Sequence, residues 1–281
     1  MSGSVSSGPH FWVNGRPGHA LPLPDRGLEF GDGLFETLLL LDGVPQFPEF
    51  HERRLRRGFE CLRFAGATPE LASLIAPALD RAAGFQRAAL RLTLSRAAGS
   101  RGYPPGQGVD HRCVLRLTPI GTDAPAHTSP ATLGVSSMAL ASQPALAGIK
   151  HLNRLEQVLA AREAAQSGAD DMVMLDQAGK VVSTTAGNLY MFAQGKIHTP
   201  RIGDCGIAGT RRKLLLEQWA PALGLEVVQR DLDPAELVSA EELFYSNSLW
   251  GLRPVGELGA RLFQHHPVCN ALFTQYLAGL E

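Results

Sequence analysis

Short apolar runs bounded by glycine alternate with longer stretches of helical period along the chain. His10–Asn14 and Leu34–Leu41 read as strands, and Asp42-Gly43 is a hairpin turn signal. From Phe50 to Phe64, Leu55, Phe59 and Leu62 recur at helical spacing among charges. Thr68-Pro69-Glu70 reads as an N-cap with proline at the first helical position, opening a helix to about Ala83. Ala88–Ser95 and Arg112–Thr118 follow as strands, separated by the glycine-rich loop Ala98–Gly108. Pro119–Pro130 has no periodicity and is rich in Pro, Gly, Asp, Thr and Ser, which marks a linker. Beyond it come a strand (Leu133–Ala139), a helix (Leu152–Ser167) and strands at Met172–Leu175 and Asn188–Phe192. A helix (Thr210–Ala220) and strands at Glu226–Arg230 and Leu243–Ser246 complete the pattern. Strands and helices mixed in both halves predict an α+β or α/β protein of two domains, residues 1–120 smaller and 121–281 larger.

A length of 281 residues fits two domains at ~150 residues each. The net charge of −1 argues against a nucleic-acid or membrane-surface binder, which would carry excess Lys and Arg. No stretch approaches the ~18 uninterrupted apolar residues of a membrane span. Met1–Gly8 has neither the basic nor the apolar region of a secretory signal. Cys61, Cys113, Cys205 and Cys269 stand far apart, without metal spacing or a disulfide pattern. The expectation is a cytoplasmic protein with reduced thiols and no metal. Of the 26 basic residues only four are lysines, Lys150, Lys180, Lys196 and Lys213. Arginine-favouring codon usage explains that, yet it makes each lysine worth examining.

Gly31-Asp32-Gly33 precedes a strand and lacks a third glycine, so a dinucleotide fingerprint is rejected. Arg53-Arg54-Leu55-Arg56-Arg57 is a basic run whose usual meaning is a solvated helix face, although one arginine turned inward could fork onto a phosphate. Lys150 ends the apolar stretch Ala145–Ile149; burial there would lower its pKa toward a nucleophilic amine, but a lone lysine is more often a surface charge. Gly206-Ile-Ala-Gly209-Thr210 opens a helix after a glycine-rich turn, which is either an ordinary N-cap or an anion site. Ser246-Asn247-Ser248 is likewise a polar turn or a second donor cluster.

Taken in order, these segments resemble the fold-type IV pyridoxal-phosphate enzymes and, within them, the 4-amino-4-deoxychorismate lyases. The resemblance runs through Asp25-Arg26-Gly27, Phe30–Thr37, His51-x-x-Arg54-Leu55 and Ser95-Arg96 with Gly99–Tyr103. It continues in Ala147–Glu156, Asn188-Leu189, Thr199-Pro200-Arg201, Gly206–Gly209 and Ser246–Leu249. Lys150-His-Leu-Asn-Arg-Leu is its most specific piece; branched-chain and D-amino-acid aminotransferases usually share only the lysine. The resemblance implies a two-domain fold like that of D-amino-acid aminotransferase, with pyridoxal 5'-phosphate between the domains and the larger C-terminal domain binding it. Lys150 would hold the cofactor covalently and then act as acid and base. Arg54, Gly209, Thr210, Arg211 and Ser248 would bind its phosphate. Ser248 and Leu249 would offer amides to a substrate carboxylate, and Arg101 and Tyr103 would add carboxylate-binding groups, often across a dimer interface. The implied reaction converts 4-amino-4-deoxychorismate to 4-aminobenzoate and pyruvate in folate synthesis, in a cytoplasmic homodimer with a small-molecule substrate and functional coupling to aminodeoxychorismate synthase. The alternatives are an aminotransferase of the same fold acting on D- or branched-chain amino acids and, further off, a cofactor-free binding protein.

One position departs from the family. Five residues before Asn188, where the family carries a glutamate on the pyridine nitrogen, stands Ser183. A carboxylate keeps that nitrogen protonated, whereas a hydroxyl only hydrogen-bonds and leaves a weaker electron sink. Transamination leans on that sink heavily. The lyase makes an aromatic ring, which supplies driving force of its own, so Ser183 is easier to reconcile with the lyase.

Overall fold

The computed structural model describes residues 8–97, 101–105, 111–121 and 129–280. Residues 98–100 and 106–108 of the loop Ala98–Gly108, and residues 122–128 of the linker, lie outside the described residues. The chain divides into two compact units: Met1–Ala124 with Ile149–Asn153, and Pro125–Gly148 with Arg154–Leu280. The segment that carries Lys150 thus belongs to the first unit although its neighbours on both sides belong to the second.

The first unit is built on a six-stranded sheet. Its elements are β1 (His10–Val13), β2 (Arg16–Pro17), α1 (Arg26–Phe30), β3 (Gly33–Leu41), β4 (Val44–Pro45), α2 (Pro48–Cys61), α3 (Leu71–Ala82), β5 (Arg87–Arg96) and β6 (His111–Pro119). The order is β2-β1-β6-β5-β3-β4, antiparallel throughout. Alternation in β5 buries Ala88, Leu90, Leu92 and Leu94 and leaves Ala89, Arg91 and Thr93 on the other face. Asp42 and Gly43 both take positive φ, 47° and 85°, as a tight hairpin turn demands. The helix expected from Thr68 begins instead at Leu71, because Pro69 and an extended Glu70 (ψ 134°) delay it. On α2, Arg56 is exposed beside Glu52, while Arg54 faces inward.

The second unit holds a nine-stranded mixed sheet. In chain order it has β7 (Ala131–Leu140), α4 (Leu155–Ser167), β8 (Asp171–Asp176), β9 (Val181–Thr184), β10 (Asn188–Ala193), β11 (Lys196–Pro200), α5 (Thr210–Leu214), α6 (Ala220–Ala222), β12 (Val227–Arg230), α7 (Pro234–Ser239), β13 (Glu242–Asn247), β14 (Gly251–Leu258), β15 (Arg261–Leu262) and α8 (Pro267–Ala278). A π turn, Leu215–Trp219, joins α5 to α6 in one continuous helical run. The strand order is β12-β11-β10-β13-β14-β7-β8-β9, with β15 on β14. The core lies around Leu133, Val173, Leu189, Leu243, Tyr245 and Val255. Helix α4 starts at Leu155, three residues later than its apolar period suggests, because the main chain before it is engaged elsewhere: Leu152 N–H donates to Gly33 O at 3.0 Å. Unusually, α4 buries Ala160 and Ala164 and turns Leu155, Val158 and Leu159 outward.

Gly251 is the tightest backbone approach to α8. Its φ is 73°, and a Cβ there would come within 2.3 Å of the buried Tyr276 ring. Overpacking and left-handed strain together predict that Gly251→Ala costs about 2–4 kcal/mol, read as a lower urea midpoint with an unchanged slope.

Candidate active site

The pleat of β3 sends adjacent side chains to opposite faces, and that alternation separates two pieces of chemistry in the first unit. Phe35 faces the lysine. Lys150 is half-buried with its Nζ 4.3 Å from the centre of the Phe35 ring, and the Arg91 guanidinium lies 3.9 Å from the same ring. Both contacts are within cation–π range. Burial, and then the Arg116 guanidinium opposite it in β6, lowers the Arg91 pKa. The backbone fixes the lysine's position: Phe35 N–H donates to Lys150 O at 2.9 Å, and Leu34 bridges His151. Within the second unit, Gly148 N–H donates to Gly206 O at 2.9 Å, and Ala208 N–H donates to Gly148 O at 3.1 Å. The lysine therefore lies two residues along the chain from an anchored point beside the glycine-rich turn.

Glu36 faces the other way, toward α2. Arg54 donates to it through Nε (2.7 Å) and Nη2 (2.6 Å), and His51 Nδ1 lies 2.7 Å from Oε2. All three side chains are buried. Burial alone would raise the Glu36 pKa, but the Arg54 guanidinium, with help from His51, overrides it and holds it at about 2. The one arginine of the basic run that faces inward thus meets a carboxylate, through the Nε–Nη2 edge of its fork.

In the second unit, the N-terminus of α5 is set up for an anion. Gly209 is the N-cap, and no side chain caps the helix. The Thr210 and Ser248 hydroxyls lie 3.2 Å apart, and the buried Arg211 donates through Nη2 to Ser248 O at 3.0 Å. Asn188 braces the turn from β10, donating through Nδ2 to Ile207 O at 2.9 Å. Its Oδ1 sits where a Cβ on Gly209 would come within 2.0 Å, so a side chain there would have to displace the Asn188 amide. Ser246 and Tyr190 hydroxyls pair at 2.8 Å beneath, and burial pushes the Tyr190 pKa far up. The Leu249 amide is already engaged: it and the Trp250 amide both donate to Asn247 Oδ1 at 3.0 Å. Ser183 lies half-buried on β9 opposite Met174. In the first unit, Arg101 and Tyr103 stand exposed on their loop.

Thr210, Arg211 and Ser248 are thus brought together, and Lys150 is joined by Phe35 and Arg91. Arg91 was not singled out from sequence, and Asn188, Glu36 and His51 lie in the resembling segments without a role assigned there. Arg91 had a visible signal, a cation on the non-core side of an otherwise regular alternating strand. The donor set of the second unit, two hydroxyls and an uncapped helix end at Gly209, suits a phosphate dianion, and Lys150 supplies a primary amine.

Residues 33–258 match the Amino-transferase class IV family, and the chain belongs to that family. The aminodeoxychorismate lyase of Vibrio harveyi is 33% identical over 255 residues, covering 89% of this chain and 92% of that protein. The crystal structure of 4-amino-4-deoxychorismate lyase from Pseudomonas aeruginosa superposes with a TM-score of 0.87 at 36% identity, covering 95% of this chain and 98% of that one. A putative branched-chain-amino-acid aminotransferase of Methanocaldococcus jannaschii is 28% identical, with coverage of 87% and 84%.

The Glu36 pKa sets a test of the buried pair. A depressed carboxylate pKa stabilises the fold fully above the ordinary value of 4.5, and that stabilisation disappears as pH falls toward 2. In urea titrations the wild type should lose ~3 kcal/mol over that window from this group, a loss absent from Glu36→Gln. At neutral pH, Glu36→Gln should already be less stable by about 3–5 kcal/mol, because the buried Arg54 loses its carboxylate.

Proposed function

We propose that the chain is a lyase that converts 4-amino-4-deoxychorismate to 4-aminobenzoate and pyruvate. It is an enzyme, and pyridoxal 5'-phosphate is its cofactor. The observation that carries the lyase reading is the likeness to two such lyases at 33% and 36% identity over nearly the whole chain. The hydroxyl of Ser183, in place of a carboxylate, is in keeping with it.

Thr210, Ser248 and the first-turn N–H groups of α5 would take the cofactor's phosphate, with Arg211 holding the Ser248 turn in place. Arg54, held on Glu36 through Nε and Nη2, would lend its positive charge to the phosphate. Lys150 would take the aldehyde carbon, and Ser183 would hydrogen-bond the pyridine nitrogen. Bound in this way, the cofactor supplies an electron sink next to the substrate's amine. Lys150 would remove the proton from the ring carbon that bears the substrate's amine. The electron pair left behind would complete the aromatic ring as the enolpyruvyl C–O bond breaks, and the released enolate would take a proton at its methylene carbon to become pyruvate. Arg101 and Tyr103 would bind a substrate carboxylate. Phe35 and Arg91 confine the Lys150 amine on one face.

Leu155, Val158 and Leu159, exposed together on α4, fit a face covered by a second copy, hence a homodimer. Four free cysteines among the described residues, and no described helix long and apolar enough to cross a membrane, accord with a cytoplasmic enzyme. A place beside aminodeoxychorismate synthase follows from the substrate. The second reading is an aminotransferase, favoured by the 28% identity to a putative branched-chain enzyme over most of both chains.

Purified holoenzyme given 4-amino-4-deoxychorismate and no keto acid should release pyruvate and 4-aminobenzoate in equal amounts, and Lys150→Ala should abolish both. Release only on addition of a keto-acid acceptor, with no pyruvate from the substrate's side chain, would select the aminotransferase. Ser183→Glu should raise transamination while leaving lyase turnover little changed, with a shifted visible absorption maximum marking the protonated ring nitrogen. A large gain in lyase turnover without a gain in transamination would contradict the role given to Ser183.

A further inference from the structure

We propose that Arg26 is a positioning residue that pre-forms the Arg101–Tyr103 loop for carboxylate recognition. The proposal rests on the reading of that loop as a substrate contact. Helix α1 is inverted in character: Leu28 and Phe30 are exposed, and its one buried residue is Arg26, 4% accessible. Burying a guanidinium is costly unless its donors are satisfied. Here they are satisfied by the loop. Nη1 donates to Gly102 O at 2.9 Å and Nη2 to Tyr103 O at 2.6 Å, while Nε donates to Asp32 Oδ2 at 2.9 Å.

Gly102, at φ 89°, lets two successive carbonyls meet one planar fork. The anchor beneath is stiff. Asp32 Oδ2 also accepts from Arg96 Nε at 3.0 Å, and Arg96 in turn donates to Leu62 O and Arg63 O just past the end of α2. Phe30 completes the clamp, with its ring 4.8 Å from the Arg26 guanidinium and 5.6 Å from the Tyr103 ring. Every bond that Arg26 makes to the loop goes to main chain. The loop's side chains stay outward, Tyr103 82% accessible, while the backbone beneath them is held. A recognition loop fixed before binding avoids the ordering cost at the moment of binding, so its loss weakens substrate capture more than the chemical step.

Two variants test this in the holoenzyme. Arg26→Met removes the fork and its charge; Arg26→Lys keeps a cation for Asp32 but loses the planar fork, and guards against a variant that fails to fold. Both should raise KM for 4-amino-4-deoxychorismate about tenfold with kcat within about threefold. Both should also speed tryptic cleavage of the Arg101–Gly102 bond several-fold, without changing cofactor affinity measured from visible absorbance. Unchanged KM, unchanged cleavage at that bond, or a fall in kcat alone overturns the proposal. Arg101→Ala, which leaves the tether intact, separates the two levels. A raised KM there with unchanged KM in the Arg26 variants rejects the tether alone. Unchanged KM in Arg101→Ala rejects the loop as a substrate contact, and the proposal falls with it even if cleavage responds.

Discussion

The backbone pairing of residues 148–152 is the constraint on which the rest depends. At one end Gly148 exchanges hydrogen bonds with Gly206 and Ala208, and at the other Lys150 and Leu152 bond to β3. These bonds hold the chain in an irregular, non-helical path, with Gly148 at φ 86°, and they fix the lysine's backbone through main-chain groups. The lysine's main chain is therefore held by backbone bonds, with Phe35 and Arg91 beside its side chain. Backbone pairing is a stiff support for such a group, because its geometry survives substitution of most neighbouring side chains.

Arginine does the structural work elsewhere. Arg54 neutralises a buried carboxylate, Arg211 ties α5 to the Ser248 turn, and Arg26 and Arg96 share Asp32. Arg26 and Arg96 each use a planar fork to satisfy three acceptors, and Arg54 uses one edge of its fork on both oxygens of Glu36, which a lysine cannot reproduce. The preference for arginine over lysine along the chain, readable as codon bias, coincides with a fold that relies on forks at buried positions.

How much was legible follows from what is local. β5 announced itself through period-two alternation and β3 as an apolar run bounded by glycine, both nearest-neighbour properties. The N-cap at Gly209 was legible for the same reason. Helix α8 escaped because apolar residues surround it, and β14 because Gly251, Pro254 and Gly256 interrupt its pattern. The start of α4 was misjudged because residues more than a hundred positions away in β3 compete for its first turn. The inward turn of one arginine in the basic run could be imagined from sequence, but its partner could not, since Glu36 lies 18 residues back on a different element. Nor does any local pattern set Lys150 over Phe35.

The alternation at Phe35-Glu36 has a consequence for folding fidelity. The pairing of β3 with β5 is continuous from Gly33–Ser95 to Leu41–Arg87. A slip of one residue would exchange the faces, delivering a carboxylate to the lysine and an aromatic ring to Arg54 and His51. Such a misfolded strand would neutralise the amine with an internal counter-ion and strand a guanidinium in a dry interior. A mispaired sheet is thereby unstable, so the dipeptide acts as a proofreader of its own register.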